Sequence, residues 1–180
     1  MSNSWLTVLG LPIAVMASPA FSADYLSAEK AQKLLFPDAT QFVQHLVKLS
    51  DKHKDTIKHL SGKRQRWDEQ KIWKVKKGDQ QLGWFIVDDV VGKHEFITYG
   101  LAVSTEGEVV GIEIMSYRET HGDEIRENTW RQNFVGKTLD DPFKLQQDIP
   151  NISGATLSCR NVTDGVKRIL ALQKVVLNRD

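Results

Sequence analysis

Two short stretches hold the residue types that could do chemistry. The first runs Asn151-Ile152-Ser153-Gly154-Ala155-Thr156-Leu157-Ser158-Cys159. Its small side chains let a backbone approach a ligand closely. It feeds a segment whose apolar residues Val162, Val166, Ile169, Leu170 and Leu172 recur at helical spacing, which predicts a helix from about 158 to 176. Thr156 falls at or just before the start of that helix. There the first N–H groups lack intrahelical partners and the helix dipole is positive. A phosphate is stabilised at such a place, and Arg160, one turn in, adds a charge-assisted donor. A hydroxyl and an anion seat therefore coincide. On residue types alone, the same pattern also describes an ordinary capped helix, because Ser and Thr are common at helix starts for that purpose.

The second stretch, Tyr117-Arg118-Glu119-Thr120-His121-Gly122-Asp123-Glu124, is polar, contains a glycine and reads as a loop leaving a strand. Its carboxylate and hydroxyl can serve a ligand or simply face solvent.

Together these stretches resemble the FMN-binding domain family, which includes the C subunit of the sodium-translocating NADH:quinone reductase and the G subunit of the Rnf electron-transport complex. Ser153-Gly154-Ala155-Thr156 is similar to the family's attachment motif, and Glu119-Thr120-His121-Gly122 to its Glu-Thr-Pro-Gly segment, with His121 in place of Pro. The spacing of Trp130, Phe134, Gly136 and Lys137 resembles the family's Trp, Phe and Gly-Lys stretch. Gly92-Lys93-His94 followed by Ile97-Thr98-Tyr99-Gly100 is similar to single-domain exported members. The resemblance covers roughly residues 80 to 175. It departs at Pro150, where the motif usually has Asp; Asp148 lies two residues earlier.

The resemblance implies an exported electron-transfer flavoprotein rather than a stand-alone enzyme. It implies FMN held by a phosphoester to Thr156, with Ser153, Gly154, Ala155, Leu157, Ser158, Glu119 and Thr120 around the cofactor. It further implies an FAD:protein FMN transferase as the enzyme that makes the bond, and a membrane reductase or another extracytoplasmic carrier as redox partner. The alternative is a non-covalent FMN-binding or sensory module of the same fold.

The elements that must position these residues can be read from period and punctuation. Helices are expected at 27–35, near 40–49, and at 52–60, the last ending at Ser61-Gly62. Gly83 to Val87 reads as a strand, while Lys71 to Lys77 is ambiguous. Ile97 to Val103 and Val109 to Met115 flank a polar loop containing Gly107, which predicts a hairpin with Val110, Ile112 and Ile114 on one face. A helix over 124–134, with Ile125, Trp130 and Phe134 inward, ends at Gly136. The fold class is α+β: an antiparallel sheet with N-terminal helices and a C-terminal helix packed on it.

Other residues are more ordinary. His94 reads as a surface strand end and His121 as an exposed loop residue, while His45, His53 and His59 lack metal-binding spacing. Cys159 reads as a small buried residue; as the single cysteine of this chain it can form no intrachain disulfide. No nucleophile–base–orienter set and no G-x-G-x-x-G run is visible.

Across the 180 residues, 24 basic and 23 acidic side chains leave a formal charge of +1, which gives no support for nucleic acid as a partner. Trp5 to Phe21 is apolar or small, is interrupted by Pro12 and Pro19, and is followed by Ser22 and Ala23. That is the pattern of a secretory signal over 1–23, hence a periplasmic chain, with an uncleaved membrane anchor as the alternative. The FMN-binding domain is then expected over 24–180, with a helical part at 24–62 and the flavin-binding α+β part at 70–180.

Overall fold

A computed structural model describes residues 26–178 of the chain. The expected signal segment at 1–23 lies outside the described residues. Among them, no helix is long and apolar enough to cross a membrane.

Five strands form one antiparallel sheet in sequence order: β1 (Gln41–Lys48), β2 (Glu69–Lys77), β3 (Gln80–Val91), β4 (Phe96–Ser104) and β5 (Val109–Ser116). Helix α1 (Ala28–Leu35) precedes the sheet, and α2 (Asp51–Ser61) lies between β1 and β2. After β5 come a 3₁₀ turn at Asp123–Arg126, the short α3 (Asn128–Arg131) and a second 3₁₀ turn at Gln132–Phe134. The long α4 (Thr156–Leu172) follows and ends in a π-helical turn at Gln173–Leu177.

Both faces of the sheet are covered. Trp84 and Ile86 of β3 pack with Ile57 of α2 and with Val162, Val166 and Ile169 of α4. Phe85 and Val87, pointing the other way, pack with Ala31 and Phe36 at α1. This explains the unbroken apolar run in β3: alternate residues meet different layers, and neither face is wet. Ile125, Trp130 and Phe134 are buried in the larger core, as their spacing predicts.

Three local expectations are corrected. The helix expected over 124–134 is broken: Glu127 is extended between the 3₁₀ turn Asp123–Arg126 and the four-residue α3, although the inward residues are still buried. Phe42 to Leu49 is not a helix; Gln41–Lys48 is the edge strand β1, paired with β2 from Gln41 opposite Lys76 to Lys48 opposite Glu69. In the β4–β5 hairpin the register shifts at Ala102/Val103, so Val109 joins Ile112 and Ile114 in the core while Val110 is 40% exposed. A bulge of this kind changes which residues share a face.

The topology brings one end of the sheet to the functional region. β3 ends at Val91, β4 begins at Phe96 directly opposite it, and β5 ends at Ser116 opposite Thr98. The β3–β4 turn, the loop after β5 and the start of α4 therefore meet at the same end.

Candidate functional site

At that end lies a cleft of about 450 Å³, lined by Lys93, His94, Glu119, Thr120, His121 and the segment Gly154 to Ser158. Its size is in the range of small-molecule and cofactor sites. Of the eight residues singled out from sequence, the structure brings together Glu119, Thr120, Gly154, Ala155, Thr156, Leu157 and Ser158 around this cleft. Ser153 is exposed in the turn just before it and is not part of the wall.

The start of α4 is built from residues that cannot cap it. Ala155 occupies the N-cap position, with no side-chain hydrogen bond to the first turn. Cys159 N–H is the first to find a helical partner, donating to Ala155 O at 2.9 Å. The ordinary-cap alternative is thus not what this helix uses. The amides of Thr156, Leu157 and Ser158 belong to the turn whose N–H groups have no intrahelical acceptor, and they lie at the positive end of a 17-residue helix.

Thr156 is exposed at the first helical position. Its Oγ1 accepts a hydrogen bond from Asn151 Nδ2 at 3.2 Å. Asn151 Oδ1 is the one buried side-chain oxygen without a hydrogen-bond partner among the described residues. Leu157 is 44% exposed and gives the cleft an apolar element, whereas Ser158 is buried beneath it. Asp148, the acid nearest the motif, is tied into its own loop: it accepts from Phe143 N–H at 3.0 Å and Lys144 N–H at 2.7 Å and pairs with Lys137. Burial opposes its ionisation, yet those donors hold its carboxyl below the usual aspartate range. Pro150 O accepts from the Trp130 indole at 2.8 Å, which anchors the approach to the motif on the core.

The floor is close-packed. Tyr117 is buried, and its hydroxyl donates to His121 O at 2.5 Å and lies 3.4 Å from Ser158 Oγ. Burial pushes the Tyr117 phenol up, so it stays neutral. Gly122 has φ +88°, and a Cβ there would overlap that of Ala155 and crowd the Tyr117 hydroxyl. Only glycine fits both demands.

Sequence reasoning misses Lys93 and His94 at the β3–β4 turn and takes His121 for a bystander. All three line the cleft. They stand far from the motif in sequence, and only the resemblance at Gly92-Lys93-His94 points toward the first two. Cys159 is fully buried and burial raises its thiol pKa, so the helix start does not activate it. No cluster of three or more metal-ligating side chains occurs among the described residues.

Residues 92–171 match the family of FMN-binding domains. This segment is similar to the domains of that family. The matched segment begins at the β3–β4 turn and takes in every residue of the cleft wall. Its relatives include the G subunit of the ion-translocating oxidoreductase complex of Shewanella oneidensis, 33% identical over 79 residues, which are 38% of this chain and 37% of that protein. The corresponding protein of Cereibacter sphaeroides is 32% identical over 83 residues, 40% of this chain and 38% of that one. The chain thus spans under two fifths of the length of these relatives. In fold, the chain is similar to the C subunit of the Na⁺-translocating NADH-quinone reductase of Parabacteroides distasonis. That likeness has a TM-score of 0.55 at 15% identity and covers 86% of each chain. It is similar also to NqrC of Shewanella oneidensis, with a TM-score of 0.50 at 15% identity over 83% of this chain and 77% of that one.

The residues present suit the FMN that gives the family its name. A bare helix start with positive polarity suits a phosphate. Lys93 adds positive charge, His94 and His121 add ring nitrogens able to hydrogen-bond, and Leu157 offers apolar surface.

Proposed function

We propose that this chain is an extracytoplasmic electron-transfer flavoprotein whose FMN is joined to Thr156 by a phosphoester. The single observation that supports this best is an exposed threonine hydroxyl at the first position of an uncapped helix, inside the cleft of an FMN-binding domain. In this reading the flavin supplies reversible electron uptake and release. The protein's part is to seat the phosphate on the amides of Thr156 to Ser158, to line the cleft with Lys93, His94 and His121, and to keep the ring region partly dry with Leu157.

The bond itself is made by an FAD:protein FMN transferase. The Thr156 oxygen attacks the flavin-side phosphorus of the FAD pyrophosphate, a Thr156 O–P bond forms, the pyrophosphate P–O bond breaks and AMP leaves. The hydroxyl proton passes to a base of the transferase, because among the described residues no carboxylate or imidazole hydrogen-bonds Thr156 Oγ1; its partner is the amide of Asn151. Asn151 is suited to orient that oxygen. A tether prevents loss of the cofactor by dissociation, and a membrane reductase or another extracytoplasmic carrier supplies the electrons. Residues 1–23 direct the export on this account, and residues 24–180 form the mature chain.

Co-expression with a transferase followed by denaturing electrophoresis tests the proposal. The expected result is a fluorescent band that survives acid and is absent from Thr156→Ala. Colour that is lost on acid precipitation would point to non-covalent binding, and a labelled Thr156→Ala would overturn the assignment.

A further inference from the structure

Glu119 lines the cleft, yet its carboxylate is directed at the protein. Oε1 accepts from the backbone N–H of His94 at 2.6 Å and of Glu95 at 3.0 Å. Oε2 lies 3.5 Å from His94 Nδ1, and only 7% of the Glu119 side chain is exposed. The segment it grips, Gly92 to Glu95, joins β3 to β4 and carries two wall residues of the cleft, Lys93 and His94. The same segment is closed by Gly92 N–H donating to Glu95 O at 2.7 Å. From the other side Asn161 of α4 donates to Val91 O at 2.5 Å. Gly92 is buried, and a Cβ there would collide with Glu119 Oε1. A carboxylate that accepts from successive backbone amides is a strong, directional tie. Oε1 is taken up by these amides and Oε2 faces His94, so the carboxylate is turned toward the protein.

We infer that Glu119 is a positioning residue: its carboxylate clasps the Gly92–Glu95 turn, holds Lys93 and His94 in place as one wall of the flavin cleft, and makes no polar contact with the flavin. This rests on the FMN reading only for what the cleft holds. The clasp itself belongs to the protein without cofactor.

The test uses the full chain without flavin and reads amide hydrogen exchange at His94 and Glu95 in Glu119→Ala, Gly92→Ala and the double variant, with Thr120→Ala as control. Affinity for free FMN is read in parallel by fluorescence quenching. In Glu119→Ala the two amides are expected to exchange at least about tenfold faster, as the loss of charge-assisted bonds to a local turn predicts. Gly92→Ala is expected to do the same by displacing the carboxylate, and Thr120→Ala to leave the amides protected. Truncating Glu119 removes the three atoms nearest the added Cβ, so the double variant is expected to match Glu119→Ala within about twofold. FMN affinity falls in both single variants.

Protected amides in Glu119→Ala would overturn the inference. So would effects of the two substitutions that multiply, or FMN affinity lost in Glu119→Ala but unchanged in Gly92→Ala, which is the mark of a direct ligand. Absence of FMN binding by the unaltered chain would sink the flavin reading while leaving the exchange result to decide the clasp.

Discussion

Helix α4 passes two polar regions that differ in one respect. Beneath its later turns, Arg168 pairs with Asp88; their side chains are 7% and 0% exposed. Tyr99 donates to Asp88 Oδ2 at 2.6 Å, Gln70 Nε2 lies 3.4 Å from Asp88 Oδ1, and Gln65 accepts from the Arg168 guanidinium. Gln65 in turn donates to Gln70 Oε1 at 3.3 Å, closing the set. Burial and the Asp88 carboxylate push the Tyr99 phenol well above its ordinary value, so it remains a donor. Depressions of about 170 and 540 Å³ flank this network, but its own polar groups are already paired with one another. At the first turn of the same helix the opposite holds. The amides have no cap, Asn151 keeps a bare oxygen, and a cleft of about 450 Å³ opens beside them. Buried polar groups that satisfy one another serve the fold. Donors gathered around an open volume without acceptors serve a ligand.

Arg168→Ala leaves Asp88 charged and buried without its partner, and a loss of about 3–5 kcal/mol is expected in urea unfolding. Wherever that variant remains folded, FMN labelling should be unchanged; a comparable loss of labelling in the folded protein would mean that the two regions are not separate. Gly122→Ala is expected next in size. Its Cβ would overlap Ala155 at a φ that strains any other residue, at a cost of about 1–3 kcal/mol together with displacement of the helix start. Here FMN affinity should fall along with stability.

A smaller effect follows from pH. Burial raises the Glu119 pKa, but the amides of Glu95, His94 and Lys93, with the charge of His94, bring it below its ordinary 4.5. A depressed carboxylate stabilises the fold fully above its unfolded value, and that contribution is lost as pH falls through the folded value. Glu119→Gln should therefore flatten the stability curve below about pH 4.5 and change little of its shape near neutrality, as thermal melts across pH 2–7 would register. Smallest of all is Asn151→Ala. It removes one long hydrogen bond and one unpaired oxygen together, so stability should move by less than about 1 kcal/mol, while labelling by the transferase slows.

What is legible in the sequence follows from the same physics. The hairpin, α2 with its end at Gly62 (φ +70°), the inward residues of α4 and the small-residue motif depend on neighbours close in sequence, and each is found where period and punctuation put it. β1 reads falsely as a helix because Phe42, Val43, Leu46 and Val47 recur as on a helix face. In an edge strand they need not be buried: Leu46 is 83% and Val43 50% exposed. The pairs that shape the two polar regions are invisible to local pattern. Glu119 reaches back 25 residues to His94, Asn161 reaches 70 to Val91, and Arg168 reaches 80 to Asp88. Glu119 is legible as a residue of the cleft but not as one whose oxygens face the protein.

Three hydroxyls compete for the phosphate at the bare helix start: Ser153 and Thr156, both exposed, and Ser158, which is buried. Fragmentation mass spectrometry of the peptide spanning residues 145–160, taken from chain labelled by the transferase, separates them. One FMN on Thr156, with Ser153 and Ser158 unmodified, is the expected outcome. An unlabelled peptide, or FMN on either serine, would contradict the account.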